Sequence, residues 1–278
     1  MIHFGLVGHP LGHSLSPKIH EAALKACGLE GDYSLFPIRP HDTEGLKDLL
    51  GRVRSGEIMG LNVTIPHKQN VIPLLDELAP VARAVGAVNT ICLKDNRLIG
   101  YNTDVDGFLL DLKRFIGNRE LGIGNWKSSL VLGAGGSARA VVYALVNDGW
   151  NVILAARRLE QAEQLANSFP GHKIKITTFT DLRLSTFDLL VNTTPIGMTP
   201  APDQSPLPEK FHFPNALIYD LVYNPRETKL VKAARAAGLS ATTGLGMLIE
   251  QAALAFEIWT GHHPPREILF NAADQAAF

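Results

Sequence analysis

The chain has 278 residues, which is enough for one large or two medium domains that each bury a core. Hydrophobic residues make up 46% of it and charged residues 19%, as in an ordinary soluble globular protein, and no apolar stretch approaches the roughly 20 residues that span a bilayer. The formal net charge of −1 excludes the basic surface that nucleic acid or an anionic membrane would attract.

The first hundred residues alternate short apolar runs with amphipathic stretches, a pattern typical of an α/β domain. We expect strands at 3–8, 33–37, 58–65, 88–93 and 97–101, and helices at 17–27 and 43–54. Strands that alternate with helices predict a mainly parallel sheet. The last two strands should form an antiparallel pair that turns at Asp95-Asn96.

A second alternating series begins after a helix at 104–115 and a segment rich in Gly and Asn at 117–125, where we place the domain connection. We expect strands at 129–132, 151–155, 173–177, 188–192, 216–221 and 240–243, with helices at 137–147, 159–168, 229–237 and 247–259. The prolines between 198 and 214 predict a long loop. The chain is therefore expected to form two α/β domains.

The run Gly133-Ala134-Gly135-Gly136-Ser137-Ala138 follows a predicted strand and opens an alanine-rich helix. Glycines at these positions allow a tight turn and a close approach of the backbone to a pyrophosphate at a helix N-terminus. The run therefore predicts a dinucleotide site in a Rossmann-like domain.

Arg157 and Arg158 follow the second strand of that unit, where an NAD site would usually carry Asp or Glu. Two guanidinium groups instead suit the 2′-phosphate of NADP, although they could also be solvated. Glu160 lies close by and keeps NAD open as an alternative. NADP is the predicted cofactor.

The run Asn62-Val63-Thr64-Ile65-Pro66-His67-Lys68 places an amide, a hydroxyl and an ammonium group at a strand end. Asn62 and Thr64 would share one strand face, and Pro66 would end the strand before Lys68. These groups suit a small polyol, although Lys68 could simply be solvated and His67 is expected at the surface.

Further polar residues flank predicted strands and helices, where ligands often bind in α/β sheets. Ser16 precedes Pro17 and suits a helix N-cap, whereas Ser14 is expected to have no capping role and could help hold an anion. Asp104 could serve as an N-cap or as a ligand-binding carboxylate. The spacing of the histidines and of Cys27 and Cys92 fits no metal site or disulfide framework, so we expect no metal.

These motifs resemble the shikimate dehydrogenase family over nearly the whole chain. The resemblance extends to Gly86-Ala87-Val88-Asn89-Thr90, Asn192 to Met198, Tyr223-Asn224-Pro225 and Gly244 to Leu248. It implies NADPH-dependent reduction of 3-dehydroshikimate to shikimate. It also implies a substrate-binding and catalytic domain at 1–103, completed by C-terminal helices at 247–278, and an NADP-binding Rossmann domain at 104–246.

The resemblance also implies individual roles. Lys68 and Asp104 would form the catalytic pair. The substrate would be bound by these two residues and by Ser14, Ser16, Asn62, Thr64, Asn89, Tyr223 and Gln251. The cofactor would be bound by Gly133, Ala134, Gly135, Gly136, Ser137, Ala156, Arg157, Arg158, Thr193, Leu221, Gly244 and Met247. Where the family often carries Asn-Arg-Thr, this chain has Ala156-Arg157-Arg158, which retains the central charge.

Two alternatives to this function remain: an NAD-preferring quinate/shikimate dehydrogenase, and a non-catalytic dinucleotide sensor of the same fold. The opening residues lack the basic flank and long apolar run of a signal peptide. We therefore expect a cytoplasmic monomer or homodimer whose partners are small molecules.

Overall fold

The computed structural model describes residues 1–117, 127–179, 181–182, 186–209 and 211–276. Apart from Gly117, the predicted domain connection at 117–125 lies outside these residues. The chain divides into two compact units, one formed by Met1–Gly107 and Leu248–Phe278 and the other by Phe108–Met247. Each boundary between the units falls within a helix.

The first unit contains a six-stranded sheet with helices on both faces. Its strands are β1 (Ile2–Gly8), β2 (Gly31–Pro37), β3 (Gly60–Val63), β4 (Glu77–Leu78), β5 (Thr90–Lys94) and β6 (Arg97–Tyr101). Its helices are α1 (Ser16–Ala26), α2 (Thr43–Arg54), α3 (Pro80–Val85), the start of α4 (Asp104–Ile116), most of α8 (Leu245–Thr260) and α9 (Arg266–Ala276), with a 3-10 turn at Ile72–Leu74.

The strand order in this sheet is β2-β1-β3-β5-β6-β4. β1 pairs in parallel with β2 and β3, and β4 pairs in parallel with β6. β5 is antiparallel to both β3 and β6, so the expected antiparallel pair forms. The turn between β5 and β6 uses Asp95 and Asn96, both at positive φ, a conformation that Asn and Asp tolerate better than most residues.

Alternation along β1 directs its side chains into two separate cores. Val7 belongs to a buried cluster with Leu49 and Leu50 of α2. Phe4, on the opposite face, stacks on Trp259 of α8 with ring centroids 4.7 Å apart and meets Phe256 edge to face. Since α9 packs against α1, the C-terminal helices return to the first unit, as expected.

The second unit contains a fully parallel sheet. Its strands are β7 (Ser128–Leu132), β8 (Asn151–Ala155), β9 (Ile174–Thr177), β10 (Leu189–Asn192), β11 (Leu217–Asp220) and β12 (Ala241–Thr243). Its helices are α5 (Gly136–Asn147), α6 (Leu159–Asn167) and α7 (Lys229–Ala236). The order β12-β11-β10-β7-β8-β9 is that of the Rossmann fold, with its switch point between β7 and β10.

The two-domain α/β fold expected from the sequence is confirmed, while several short elements were not predicted. These are β4, α3 and the turn at Ile72–Leu74. β3 is shorter than expected, since it ends at Val63 rather than at Ile65. None of the helices in the described part of the chain combines the length and apolar character of a membrane span.

Gly60 in β3 allows the close approach of Trp259. A Cβ atom at Gly60 would lie 2.4 Å from Trp259 Cε2, and the indole is held by a 3.0 Å hydrogen bond from its Nε1 to the carbonyl of Ile91. We expect Gly60→Ala to lower the free energy of unfolding by about 1–3 kcal/mol through overpacking, measured by urea denaturation.

Gly51 provides the matched control for that substitution. It lies within α2, and a Cβ atom there would meet no other atom within 4 Å. Gly51→Ala should therefore stabilise the protein by about 0.5–1 kcal/mol, because alanine is the better helix former. Equal effects of the two substitutions would contradict the packing assigned to Trp259.

Candidate active site

A buried ion pair lies within the polar cluster of the first unit. Lys68 Nζ is 2.7 Å from Asp104 Oδ2, and 11% and 5% of the two side chains are exposed. The backbone positions both partners, since the carbonyl of Lys68 accepts a hydrogen bond from Val88 N and Asp104 is the first residue of α4. Shielded from water, the two charges attract each other more strongly than a surface pair would.

Asn102, rather than Asp104, caps the start of α4. Asn102 Oδ1 accepts a hydrogen bond from Asp104 N at 3.1 Å, and Asn102 Nδ2 donates to the carbonyl of Ala87 at 2.9 Å. The Asp104 carboxylate instead accepts from Lys68 and Asn89. Asp104 is therefore not the cap of its own helix, and its binding of a ligand stays a prediction.

Asn89 connects this carboxylate to its surroundings. Its Nδ2 lies 2.8 Å from Thr103 Oγ1, 2.9 Å from Asp104 Oδ1 and 3.3 Å from Gln251 Oε1. Its Oδ1 accepts from Thr103 N and from the Thr90 hydroxyl. An amide offers two donors and two acceptor positions, so protein groups engage all of them. Substrate binding by Asn89 stays a prediction, and the structure adds a role in orienting Asp104.

Asn62 is held in one orientation by its neighbours. Tyr33 donates its hydroxyl hydrogen to Asn62 Oδ1 at 2.7 Å, while Asn62 Nδ2 lies 3.2 Å from both the Asn89 carbonyl and Thr90 Oγ1. Both amide hydrogens are therefore used within the protein. Asn62 therefore has no hydrogen left to donate to a ligand, and its Oδ1 is shared between the Tyr33 hydroxyl and the neighbouring His20 ring.

Thr64 follows β3 instead of lying within it, so the expected strand end at Pro66 is wrong. Backbone hydrogen bonding still holds it, since Thr64 N donates to the carbonyl of Val7. Its half-buried hydroxyl makes no hydrogen bond with the described residues and could bind a ligand. His67, expected at the surface, is buried with its Nε2 2.8 Å from the carbonyl of Ile38.

The two serines before α1 have roles opposite to those expected from the sequence. Ser14 Oγ accepts a 3.2 Å hydrogen bond from Ser16 N, so Ser14 supports the start of the helix. Ser16 is the first residue of α1, and no hydrogen bond joins its buried hydroxyl to the described part of the chain. The Ser16 hydroxyl is therefore available to a ligand, and the Ser14 hydroxyl still has its hydrogen to donate.

This cluster also contains Tyr33 and His20, for which the sequence indicated no binding role and whose rings stack at 4.4 Å. Thr90, from the motif Gly86 to Thr90, and Thr103 also belong to it. His20 lies one helical turn after Ser16 on the same face of α1. Complete burial lowers the pKa of His20 to about 3, so the ring is neutral. The sequence feature that could have identified these residues is a polar or amphipathic side chain within an otherwise apolar segment.

In the second unit, the glycine run forms the expected turn between β7 and α5. Gly133 has a φ of +109°, and a Cβ atom there would lie 2.7 Å from Thr193 Oγ1. A Cβ atom at Gly135, the residue before α5, would meet no other atom within 4 Å. Open space at a helix N-terminus suits a pyrophosphate. The fold and this turn therefore fit a dinucleotide.

The arginine pair follows β8, next to the glycine run in the sheet. Ala156 is buried, whereas Arg157 and Arg158 are exposed, and Arg158 immediately precedes α6. Among the described residues, neither arginine forms an ion pair. Two exposed guanidinium groups at this position suit a phosphate.

The other predicted cofactor residues lie at the carboxyl edge of the same sheet. Thr193 donates its hydroxyl to the carbonyl of Leu132 at 2.6 Å. Gly244 lies against Leu221, because a Cβ atom at Gly244 would be 2.2 Å from the Leu221 carbonyl oxygen. Met247 is buried in the first turn of α8. Tyr223 belongs to this second unit, whereas the other predicted substrate ligands belong to the first.

These features define a two-unit α/β protein in which one unit has the sheet and glycine turn of dinucleotide-binding proteins. The described residues contain no group of His, Cys, Asp and Glu side chains that could hold a metal ion. Three family models match the chain: the shikimate dehydrogenase substrate binding domain at residues 6–91, shikimate / quinate 5-dehydrogenase at 118–199, and the shikimate 5'-dehydrogenase C-terminal domain at 244–269.

Known proteins agree with these models over almost the full length. The shikimate dehydrogenase (NADP(+)) of Salinibacter ruber is 43% identical, covering 96% of this chain and 95% of its own. The Thermus thermophilus shikimate 5-dehydrogenase, solved with NADP(H) and shikimate, is 40% identical with a TM-score of 0.86, covering 99% and 100%. The quinate dehydrogenase of Corynebacterium glutamicum, solved with NAD, is 33% identical with a TM-score of 0.87, covering 99% of each chain. This chain belongs to the shikimate dehydrogenase family, which confirms the resemblance seen in its sequence.

Asp220 provides a test of the second unit through pH. Burial raises the pKa of its carboxyl from 3.8 to about 6, although hydrogen bonds from Thr228, Val222 and Asn192 act in the opposite direction. Between pH 4 and pH 6 the folded protein therefore binds more protons than the unfolded chain, and its stability falls as pH rises. Above pH 6 the ionised carboxyl lowers the free energy of unfolding by its full amount, about 3 kcal/mol.

Asp220→Asn removes this titration. We expect the free energy of unfolding of the wild type, relative to that of the variant, to fall by about 2 kcal/mol between pH 4 and pH 7. Urea denaturation across this range measures the difference, and Asp188→Asn serves as the control because Asp188 is only partly buried. A difference that does not vary with pH would contradict the raised pKa of Asp220.

Proposed function

We propose that this protein catalyses the reversible NADPH-dependent reduction of 3-dehydroshikimate to shikimate, in the synthesis of aromatic amino acids. The observation that carries the proposal is the buried Lys68–Asp104 pair. It provides a cation and a carboxylate in fixed geometry, beside amide and hydroxyl groups suited to a polyol. Family membership and the names of the relatives support the same activity.

The substrate is a cyclic carboxylic acid that carries several hydroxyl groups. Its carboxylate is assigned to the hydroxyls of Ser14 and Ser16, since Ser16 has a buried hydroxyl without a hydrogen bond to the described residues. Its hydroxyl groups are assigned to Asn62, Thr64, Lys68, Asn89, Asp104 and Gln251, with Tyr223 as a further ligand. Because Asn62 has no hydrogen left to donate, the group it binds must be a hydroxyl rather than a carbonyl.

Carbonyl reduction requires a hydride and a group that stabilises the oxygen as it becomes an alkoxide. When bound, NADPH supplies the hydride. The Lys68 ammonium group donates a hydrogen bond to the carbonyl oxygen and then transfers a proton to it. Asp104 orients the Lys68 ammonium group, while Asn89 holds the second oxygen of Asp104. In the reverse direction Lys68 accepts the proton.

The cofactor residues lie in the second unit. Backbone N–H groups from Gly133 to Ser137 would bind the pyrophosphate, and Arg157 with Arg158 would bind the 2′-phosphate of NADP. Ala156 would flank the adenosine, while Thr193, Leu221, Gly244 and Met247 are assigned to the nicotinamide side. The exposed arginines favour NADP over NAD.

The decisive experiment follows NADPH oxidation by absorbance with 3-dehydroshikimate as substrate. We expect turnover with NADPH, and in the reverse direction faster initial rates with NADP⁺ than NAD⁺ and with shikimate than quinate. Arg157→Ala should reduce the preference for NADP⁺, because it removes one partner of the 2′-phosphate.

Two results of this experiment would support the alternatives. A strong preference for NAD⁺, or quinate turnover that matches shikimate turnover, would indicate an enzyme like the quinate dehydrogenase described above. No NADPH oxidation with 3-dehydroshikimate would favour a non-catalytic dinucleotide sensor. The retained Lys68–Asp104 pair argues against the sensor.

Lys68→Ala tests the catalytic assignment. Loss of the general acid should lower kcat by roughly 100-fold or more, with a smaller effect on KM. Lys47→Ala is the matched control, since Lys47 is exposed and pairs only locally with Glu44. Binding of NADP⁺ to the Lys68→Ala variant shows that it has folded. A folded variant with near-wild-type kcat would refute the role of Lys68.

A cytoplasmic location and a monomeric or homodimeric state are also proposed. The location rests on the sequence, whose two widely separated cysteines suit a reducing compartment. Cell fractionation would test the location, and sedimentation analysis would test the oligomeric state.

A further inference from the structure

A buried hydrogen-bond network joins the carboxyl ends of β10 and β11, and the chemistry proposed above makes no use of it. Asn192 is the last residue of β10 and Asp220 the last of β11, and both are fully buried. Asn192 Nδ2 donates to Asp220 Oδ1 at 2.8 Å. Asp220 Oδ2 accepts from the Thr228 hydroxyl at 2.7 Å, and Thr228 caps α7.

The Asn192 side of this network orients the segment that follows β10. Asn192 Oδ1 accepts hydrogen bonds from Thr194 N at 3.0 Å and from the Thr194 hydroxyl at 2.7 Å. Thr194 Oγ1 in turn accepts from Ile196 N. A Cβ atom at Gly133 would lie 3.1 Å from Thr194 Cγ2, so this segment packs directly against the glycine turn.

The Asp220 side orients the segment that follows β11. Asp220 Oδ1 accepts a hydrogen bond from Val222 N at 3.1 Å, and Leu221 N donates to the carbonyl of Asn192 at 2.9 Å. The Leu221 carbonyl then lies against Gly244, which has no side chain to obstruct it. A single buried pair thus holds both segments at this edge of the sheet.

The topology of the sheet indicates which half of a dinucleotide would lie over these segments. In this fold the pyrophosphate binds at the turn after the first strand, here β7, and the adenosine ribose lies beside the end of the second strand, here β8. The arginines that suit the 2′-phosphate follow β8. The nicotinamide half therefore extends to the other side of the switch point, over β10 and β11.

We propose that Asn192 and Asp220 are positioning residues for the nicotinamide half of NADP, an inference that rests on the cofactor of the proposed function. They act through the backbone of the segments after β10 and β11. The network holds both segments in place before the cofactor arrives, which reduces the ordering cost of binding.

The experiment compares Asn192→Ala with the wild type by calorimetric titration, without shikimate. Two probes are used: NADP⁺, and adenosine 2′,5′-bisphosphate, which lacks the nicotinamide half. We expect the dissociation constant for NADP⁺ to rise about 10-fold, because the variant releases the segment after β10 and leaves buried groups unpaired. The constant for adenosine 2′,5′-bisphosphate should stay within about twofold, because its site lies on the β8 side.

Two further variants separate positioning from general stability. Asp188 precedes β10 at its opposite end, and its carboxylate accepts a 2.9 Å hydrogen bond from Ser128 N. Asp188→Ala should lower the thermal midpoint without changing the affinity for NADP⁺. Asp220→Asn should bind NADP⁺ within about twofold of the wild type, since its amide oxygen still accepts from Asn192 and Val222.

Unchanged NADP⁺ binding by Asn192→Ala, or equal losses for the two probes, would overturn the inference. The measurement does not depend on turnover. A wild-type protein that binds NADP⁺ but does not reduce 3-dehydroshikimate would refute the proposed reaction, while the comparison of the two probes would still decide the role of Asn192.

Discussion

The ion pair between Lys68 and Asp104 is the interaction on which the arrangement of the first unit depends. Burying two charges costs several kcal/mol per ion, and only good geometry with additional hydrogen bonds offsets that cost. Asp104 obtains this support from Asn89 and from its place at the start of α4, where the helix dipole favours a negative charge. Thr103 extends the network to the carbonyl of Gln251 on α8. The buried polar residues of this unit therefore hold the pair in place.

The second unit solves a similar problem with a different buried carboxylate. Asp220 has no charged partner among the hydrogen-bond donors that surround it, which are an amide, a hydroxyl and a backbone N–H. Neutral donors compensate burial less well than a cation does, and the pKa of Asp220 is raised accordingly. In both units the carboxylate lies close to strand ends, where the backbone turns and its N–H groups become available. One unit has an ion pair suited to chemistry, and the other has a carboxylate surrounded by uncharged donors that hold the backbone in position.

The sequence predicted the main strands and helices because hydrophobic period and glycine placement are local signals. The order of the motifs along the chain also identified Lys68, Asp104 and the glycine turn as candidate site residues. The exchange of capping roles between Ser14 and Ser16 was not predictable, since it depends on the backbone path before α1. The burial of His67 and the contact of Tyr33 with Asn62 arise from tertiary packing between segments that lie far apart in the sequence. Such contacts leave no periodic signature in a single chain.

The fixed amide of Asn62 also determines what this position can recognise. Since both of its hydrogens are engaged by Asn89 and Thr90, the amide can present only its oxygen. A ligand that places fluorine, an ether oxygen or a carbonyl there brings one electron-rich atom against another. In the proposed complex, this position would therefore distinguish an alcohol from its oxidised or alkylated form by the presence of one hydrogen atom.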